Sequence, residues 1–97
     1  MTIRLHPEAE IELEHALEWY HEIDPNLPLA LLHEYRVVTQ HLIKSPRIYH
    51  HRPNGYRRAN LHRFPFYLPF IIHNNEIVIL AFAHQSRMPN YWARREP

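Results

Sequence analysis

The stretch Asn74-Asn75-Glu76-Ile77-Val78-Ile79-Leu80-Ala81-Phe82-Ala83-His84 decides how this chain folds. Asparagine tolerates positive φ, so Asn74-Asn75 reads as a two-residue hairpin turn. The run behind it is apolar without a break from Ile77 to Ala83. A strand open to water on one face alternates, whereas an unbroken apolar run belongs to a covered, central strand. The expectation is one strand over Glu76–His84, shielded by helices. Upstream of the turn, Phe66 to His73 supplies its hairpin partner. Pro69 lies inside that partner and cannot donate a ladder hydrogen bond, which calls for a bulge or an edge nearby. Tyr56 to Phe64 alternates, with Ala59 and Leu61 on one face and Arg58, Asn60 and His62 on the other. These three segments form an antiparallel meander.

The first half of the chain has the other periodicity. Ala9, Leu13, Ala16, Leu17, Tyr20 and Ile23 fall at helical spacing, and Asp24-Pro25-Asn26 ends that helix. Pro7 suits its first turn, and the glutamates that follow suit the positive end of the helix dipole. A second helix starts near Pro28 and carries Leu31, Leu32, Tyr35, Val38, Leu42 and Ile43, while Glu34, Arg36, Gln40, His41 and Lys44 face water. Ser45-Pro46 stops it, because proline disfavours helix in its predecessor. The short link makes the two helices an antiparallel hairpin. Thr2 to Leu5 alternates as a short strand. The reading is α+β, a single domain over 1–97, in the order β-α-α-β-β-β, with strand and helical hairpin on a twisted antiparallel sheet. The tail from Met88 reads as a short turn of helix.

Composition narrows the function. Hydrophobic residues make up 45% of the chain, which argues against disorder despite nine prolines and one glycine. There is no cysteine, so disulfides and thiolate zinc sites are excluded. Nothing reaches the length of a membrane span and the N-terminus has no apolar signal core, so a cytoplasmic protein without membrane contact is expected. The formal net charge of +1 hides a polarised chain. Residues 1–45 sum to −5 and residues 46–97 to +6, the latter from eight arginines. Arginine suits bidentate contacts to phosphate or carboxylate, so the second half points to an acidic or polyanionic partner. The simpler alternative is that acidic helices neutralise a basic sheet within the molecule. The glutamates from Glu8 to Glu22 read as a solvated helix face. None of the ten histidines forms a helical ligand pair, so no metal site is expected, and no cofactor-binding loop is present.

Three further segments carry a resemblance. Pro7-Glu8-Ala9-Glu10 through Trp19-Tyr20, then Gly55-Tyr56-Arg57-Arg58 with Arg63-Phe64-Pro65-Phe66, then Ile77 through His84-Gln85-Ser86-Arg87-Met88-Pro89 and Tyr91-Trp92 follow one another over nearly the whole chain. Together they resemble the RelE/ParE toxin superfamily. That resemblance implies the toxin half of a type II toxin–antitoxin pair, held inactive by a cognate antitoxin. Within the superfamily, RelE-like members cleave messenger RNA on the ribosome, and ParE-like members inhibit DNA gyrase.

Cleavage through a 2′-hydroxyl needs a general base, a general acid and cations for the developing charge. The resemblance assigns that work, if the chain is a nuclease, to His84, Arg87 and Tyr91. It gives Arg57, Arg58, His62, Arg63, Trp92 and Arg94 as residues for a macromolecular target or nucleic acid. Trp92 and Tyr91 can equally pack the tail onto the sheet, and His84 can simply bond a neighbour. Tyr67 stands where RelE-like nucleases have an arginine, and Lys44 is the only lysine. The Phe-Pro-Phe form is nearer to ParE-like members, so a gyrase-binding toxin is the leading expectation. A ribosome-dependent endoribonuclease is the second, and an inactive member acting as an antitoxin-binding co-regulator is the third.

Overall fold

Asn74 and Asn75 sit at φ 50° and 61°, the left-handed pair that a tight hairpin requires. The computed structural model describes all 97 residues and places this turn between two paired strands, with His73 opposite Glu76. The elements in chain order are β1 Thr2–Leu5, α1 Pro7–Ile23, α2 Leu27–Lys44, a 3-10 turn Pro46–Ile48, β2 Arg57–Asn60, β3 Phe66–His73, β4 Glu76–Ile79 and β5 Ala83–His84.

Both helix boundaries follow from local chemistry. The His6 ring accepts the Glu8 N–H and Pro7 opens α1, while the Asp24 N–H closes it on Tyr20. α2 begins at Leu27, and the Ser45 N–H ends it on His41 immediately before Pro46.

The sheet order is β1-β4-β3-β2, and β5 continues alongside β3. The expected meander is present, and β1 adds one parallel pairing against β4, so the sheet is mixed. Ile77 and Ile79 are fully buried on the face that the helices cover, with Leu31, Leu42, Leu68 and Phe70. Tyr67, Val78, Leu80 and Ala81 lie on the opposite face, where the tail lays Trp92 over them. The tail is a series of turns rather than a helix, anchored where Asn90 accepts the Tyr56 hydroxyl.

The strand expected over Glu76–His84 is broken in two, and Pro69 explains the break. Leu80 donates its N–H to the Pro69 carbonyl at 2.8 Å. An antiparallel pair of this kind exchanges two bonds, but proline has no N–H to return. The Leu80 carbonyl is instead taken by the Arg95 guanidinium at 2.9 Å. Beyond this point one residue is inserted: Phe70 pairs with Ile79, yet Tyr67 pairs with Ala83. The expected bulge therefore exists, on the strand facing Pro69 (not in the strand that carries it). Its effect is to put Leu80 and Ala81 on the same outer face. Phe82 is thereby turned toward the helices, stacked 4.5 Å from Phe66.

The turn gives a direct test. Asn75→Ala should cost about 1 kcal/mol in urea unfolding, because alanine resists the left-handed region, whereas Asn75→Gly should be neutral or stabilising. Equal effects of the two substitutions would refute this account of the turn.

Candidate functional site

One carboxylate gathers the end of the sheet, the tail and α1. Glu12 accepts the Phe82 N–H at 3.2 Å, the donor left free by the bulge. It also accepts the Tyr91 hydroxyl at 2.6 Å, Arg95 at 2.8 Å and 3.2 Å, and Arg87 at 3.1 Å. Arg95 completes its set with Glu8 and the Leu80 carbonyl. Side chains of Glu12 and Arg95 are only 14% and 13% exposed, so the pair is shielded from water. Burial pushes the Tyr91 phenol well above its ordinary value, and its bond to the Glu12 carboxylate pushes it further. The Arg87 guanidinium lies 3.7 Å above the Tyr91 ring.

The glutamates of α1 are therefore not a uniform solvated face, as their sequence suggested. Glu12 is a structural ligand and Glu8 supports it. Glu34 departs from expectation in the same way. Its carboxylate accepts the backbone N–H groups of His62, Arg63 and Phe64 at 3.0–3.3 Å, holding the loop between β2 and β3. Burial alone would raise the Glu34 pKa; the three backbone donors outweigh it and hold the group below its ordinary value of 4.5. A signal for both acids existed in the sequence. Glu12 lies three residues after Ala9 and four before Ala16, and Glu34 stands in the same relation to Leu31 and Val38. Each shares a helix face with core residues.

His84, Arg87 and Tyr91 are brought to one region. His84 and Arg87 line an open groove of about 480 Å³ beside α1, with Phe66 and Phe82 in its floor and Trp19 on its wall. The His84 Nδ1 accepts both the Ser86 N–H and the Ser86 hydroxyl, at 3.0 Å and 2.7 Å. A backbone N–H only donates, so the neutral ring carries its proton on Nε2. Tyr91 points to Glu12, away from such a role, and Arg87 is shared between Glu12 and the Tyr91 ring.

The basic residues are distributed along β2 and the surfaces beside it. Arg58 stacks 3.7 Å from the Tyr67 ring and bonds Asn60 through Nε. Arg57 donates to the Tyr49 carbonyl. His62, Arg63 and Arg94 are exposed, and none of the five residues forms an ion pair. Trp92 does not belong to that surface. It is 1% exposed, edge-on to Tyr56, Tyr67 and Tyr91, and so offers no ring face to a base. No group of residues has the makings of a metal site.

Two variants test the two acids. Glu12→Ala leaves the Phe82 N–H and the Tyr91 hydroxyl without their acceptor and the shielded Arg95 with only the exposed Glu8 as counter-charge, and should cost about 3–5 kcal/mol in urea unfolding. A loss below 1 kcal/mol would refute its anchoring role. For Glu34, a depressed pKa stabilises the fold above the unfolded value and that contribution fades as pH falls through the folded one. Stability should therefore drop on acidification below about pH 4.5, and Glu34→Gln should flatten the drop. An unchanged acid slope in that variant would count against the cap.

The family model described as the ParE toxin of the type II toxin–antitoxin system, parDE, matches residues 3–89. Among solved structures, a chromosomal ParDE toxin–antitoxin system from P. aeruginosa is similar, with a TM-score of 0.76 and 24% identity. The similarity covers 87% of this chain and 95% of that one, and at this identity it speaks for the fold. No curated protein sequence matches. No helix is long and apolar enough to cross a membrane. The family match spans most of the chain in the order of elements described above, and the chain belongs to the ParE toxins, the toxin half of a type II pair that implies a cognate antitoxin.

Proposed function

We propose that this toxin arrests growth from the cytoplasm by binding DNA gyrase, without catalysis of its own. The observation that carries this reading is the commitment of the groups a nuclease would need. The Tyr91 phenol is bonded to Glu12 and pushed up, Arg87 is neutralised by the same carboxylate, and the His84 Nδ1 is occupied by Ser86. Tyr67, in place of a cation, is 3% exposed and supports Arg58. The half-buried Arg57 and Arg58, with the exposed His62, Arg63 and Arg94, supply the contact surface in this reading, the arginines steering the toxin to an acidic target surface.

One observation favours the second reading, a ribosome-dependent endoribonuclease. His84, Arg87 and His15 line a single open groove with Trp19, which places an N–H donor, a cation and an aromatic surface together. The two readings separate in one experiment. On induction, growth should stop, and the purified chain should inhibit supercoiling of relaxed plasmid by gyrase while a reconstituted translation system keeps working. Arg63→Glu with Arg94→Glu should weaken that inhibition about tenfold or more. Codon-dependent cleavage of a reporter messenger on ribosomes, abolished by His84→Ala, would instead establish the nuclease.

A further inference from the structure

The loop ahead of β2 contains the chain's only glycine, and an asparagine stands directly before it. Pro53 fixes the first corner of this loop, and Gly55 donates its N–H to the Arg52 carbonyl at 3.0 Å. Gly55 itself sits at φ 83°. This is a three-residue hairpin loop, a tight turn closed by a left-handed glycine. Arg52 returns its N–H to the Tyr56 carbonyl at 2.8 Å, and His51 bridges Arg57. The hairpin thereby covers the start of β2.

Asn54 is exposed, and one long side-chain bond holds it: its Nδ2 donates to the Asn90 Oδ1 at 3.3 Å. The same oxygen accepts the Tyr56 hydroxyl at 3.1 Å, so Asn90 joins the loop to the tail. Chain neighbours apart, no atom lies within 4 Å of where a Gly55 side chain would begin. The Gly55 nitrogen can therefore close on the Asn54 carboxamide with no side chain in the way and open space around it. The other five asparagines precede Leu27, Leu61, Asn75, Glu76 and Tyr91, whose side chains obstruct that approach.

We infer that Asn54-Gly55 is a self-modification site, where the chain converts asparagine to isoaspartate and aspartate and so detaches the cover of β2 from the tail. The Gly55 nitrogen attacks the Asn54 Cγ; the N–Cγ bond forms, the Cγ–Nδ2 bond breaks, and ammonia leaves with the Gly55 amide proton. Water then opens the five-membered imide. Hydrolysis at Cγ gives aspartate, and hydrolysis at the Asn54 main-chain carbonyl carbon gives isoaspartate, whose backbone runs through Cγ. Water is the only co-reactant. Ring closure gives up the Gly55–Arg52 bond and the long tether to Asn90. Exposed bonds of this kind slow the step only about tenfold relative to the unfolded chain. Either product sets a carboxylate against the Asn90 Oδ1, acceptor facing acceptor, and the link to the tail is lost. Isoaspartate also lengthens the backbone of a loop whose register needs three residues, which loosens the Arg52–Tyr56 bond. The new negative charge falls in the half of the chain that sums to +6. This chemistry does not depend on how the toxin stops growth.

The test incubates the purified full chain at physiological temperature and mildly alkaline pH, with peptide mapping by mass spectrometry. Residue 54 should become about 1 Da heavier and accept a methyl group from an isoaspartate-specific carboxyl methyltransferase, while the other asparagines stay unchanged. The rate in the folded chain should lie within about tenfold of that in guanidinium chloride. Asn54→Gln, which would have to close a larger ring, should stay unmodified over the same period. In the aged chain the Arg52 amide should exchange with solvent about fivefold faster or more, with circular dichroism showing the fold retained. Asn54→Asp carries the charge without the longer backbone and should leave Arg52 exchange within about twofold of the unmodified chain. An unmodified residue 54 in the folded chain, earlier reaction at another asparagine, or unchanged Arg52 exchange after ageing would overturn the proposal.

Discussion

The Glu12 carboxylate is the point on which this structure depends, because it resolves a conflict created by Pro69. A proline in the strand that pairs with β2, β4 and β5 leaves one carbonyl without its ladder donor, and the resulting bulge leaves one N–H without its acceptor. Unpaired backbone groups in a covered sheet cost about 1–3 kcal/mol each. Arg95 answers the first and Glu12 the second, and the two side chains answer one another. Tyr91 and Arg87 then join the same carboxylate. The polar knot, the bulge and the fixed tail are thus one feature. Its functional consequence is the placement of Phe82 and His84 beside α1, where the groove forms.

The charge asymmetry of the sequence has two destinations. Part of it is satisfied internally, through Glu8 and Glu12 with Arg87 and Arg95. The rest is not: Arg57, Arg58, Arg63 and Arg94 have no carboxylate within reach, while Glu14, Glu18 and Glu22 stay exposed on α1. The molecule therefore carries both the intramolecular neutralisation and the free basic surface that the sequence left as alternatives. An acidic partner meets arginines that are already oriented, as with Arg58 on Tyr67, and less side-chain freedom is lost on contact.

Much of the fold was legible because it rests on local chemistry. The Asn74-Asn75 turn, the stop at Ser45-Pro46 and the helical spacing from Ala9 to Tyr20 each follow from a few neighbouring residues. The demand for a bulge near Pro69 was legible as well. Its location was not, since the inserted residue sits in the apolar run, where alanine and phenylalanine give no sign of which face they choose. The candidate site was less readable. Glu12 and Glu34 share a helix face with core residues, but that spacing does not say what they bind, because their partners lie 28 to 83 residues away. Trp92 resisted for the converse reason: an aromatic in an arginine-rich tail looks like a contact residue until the outer face of the sheet is seen to need a cover.

That fastening of the tail has a meaning for the growing chain on the ribosome. β1 can pair only after residues 76–79 exist, and Glu12 meets Arg95 across 83 residues of sequence. Contacts this remote form late, after the entropy of closing the whole chain has been met. A nascent toxin that has already made its helices and its hairpin still lacks the donor for Leu80 and the lid for Tyr67 and Val78. The finished surface forms only once Arg95 has been made and released, which leaves a partner that recognises it nothing complete to hold before then.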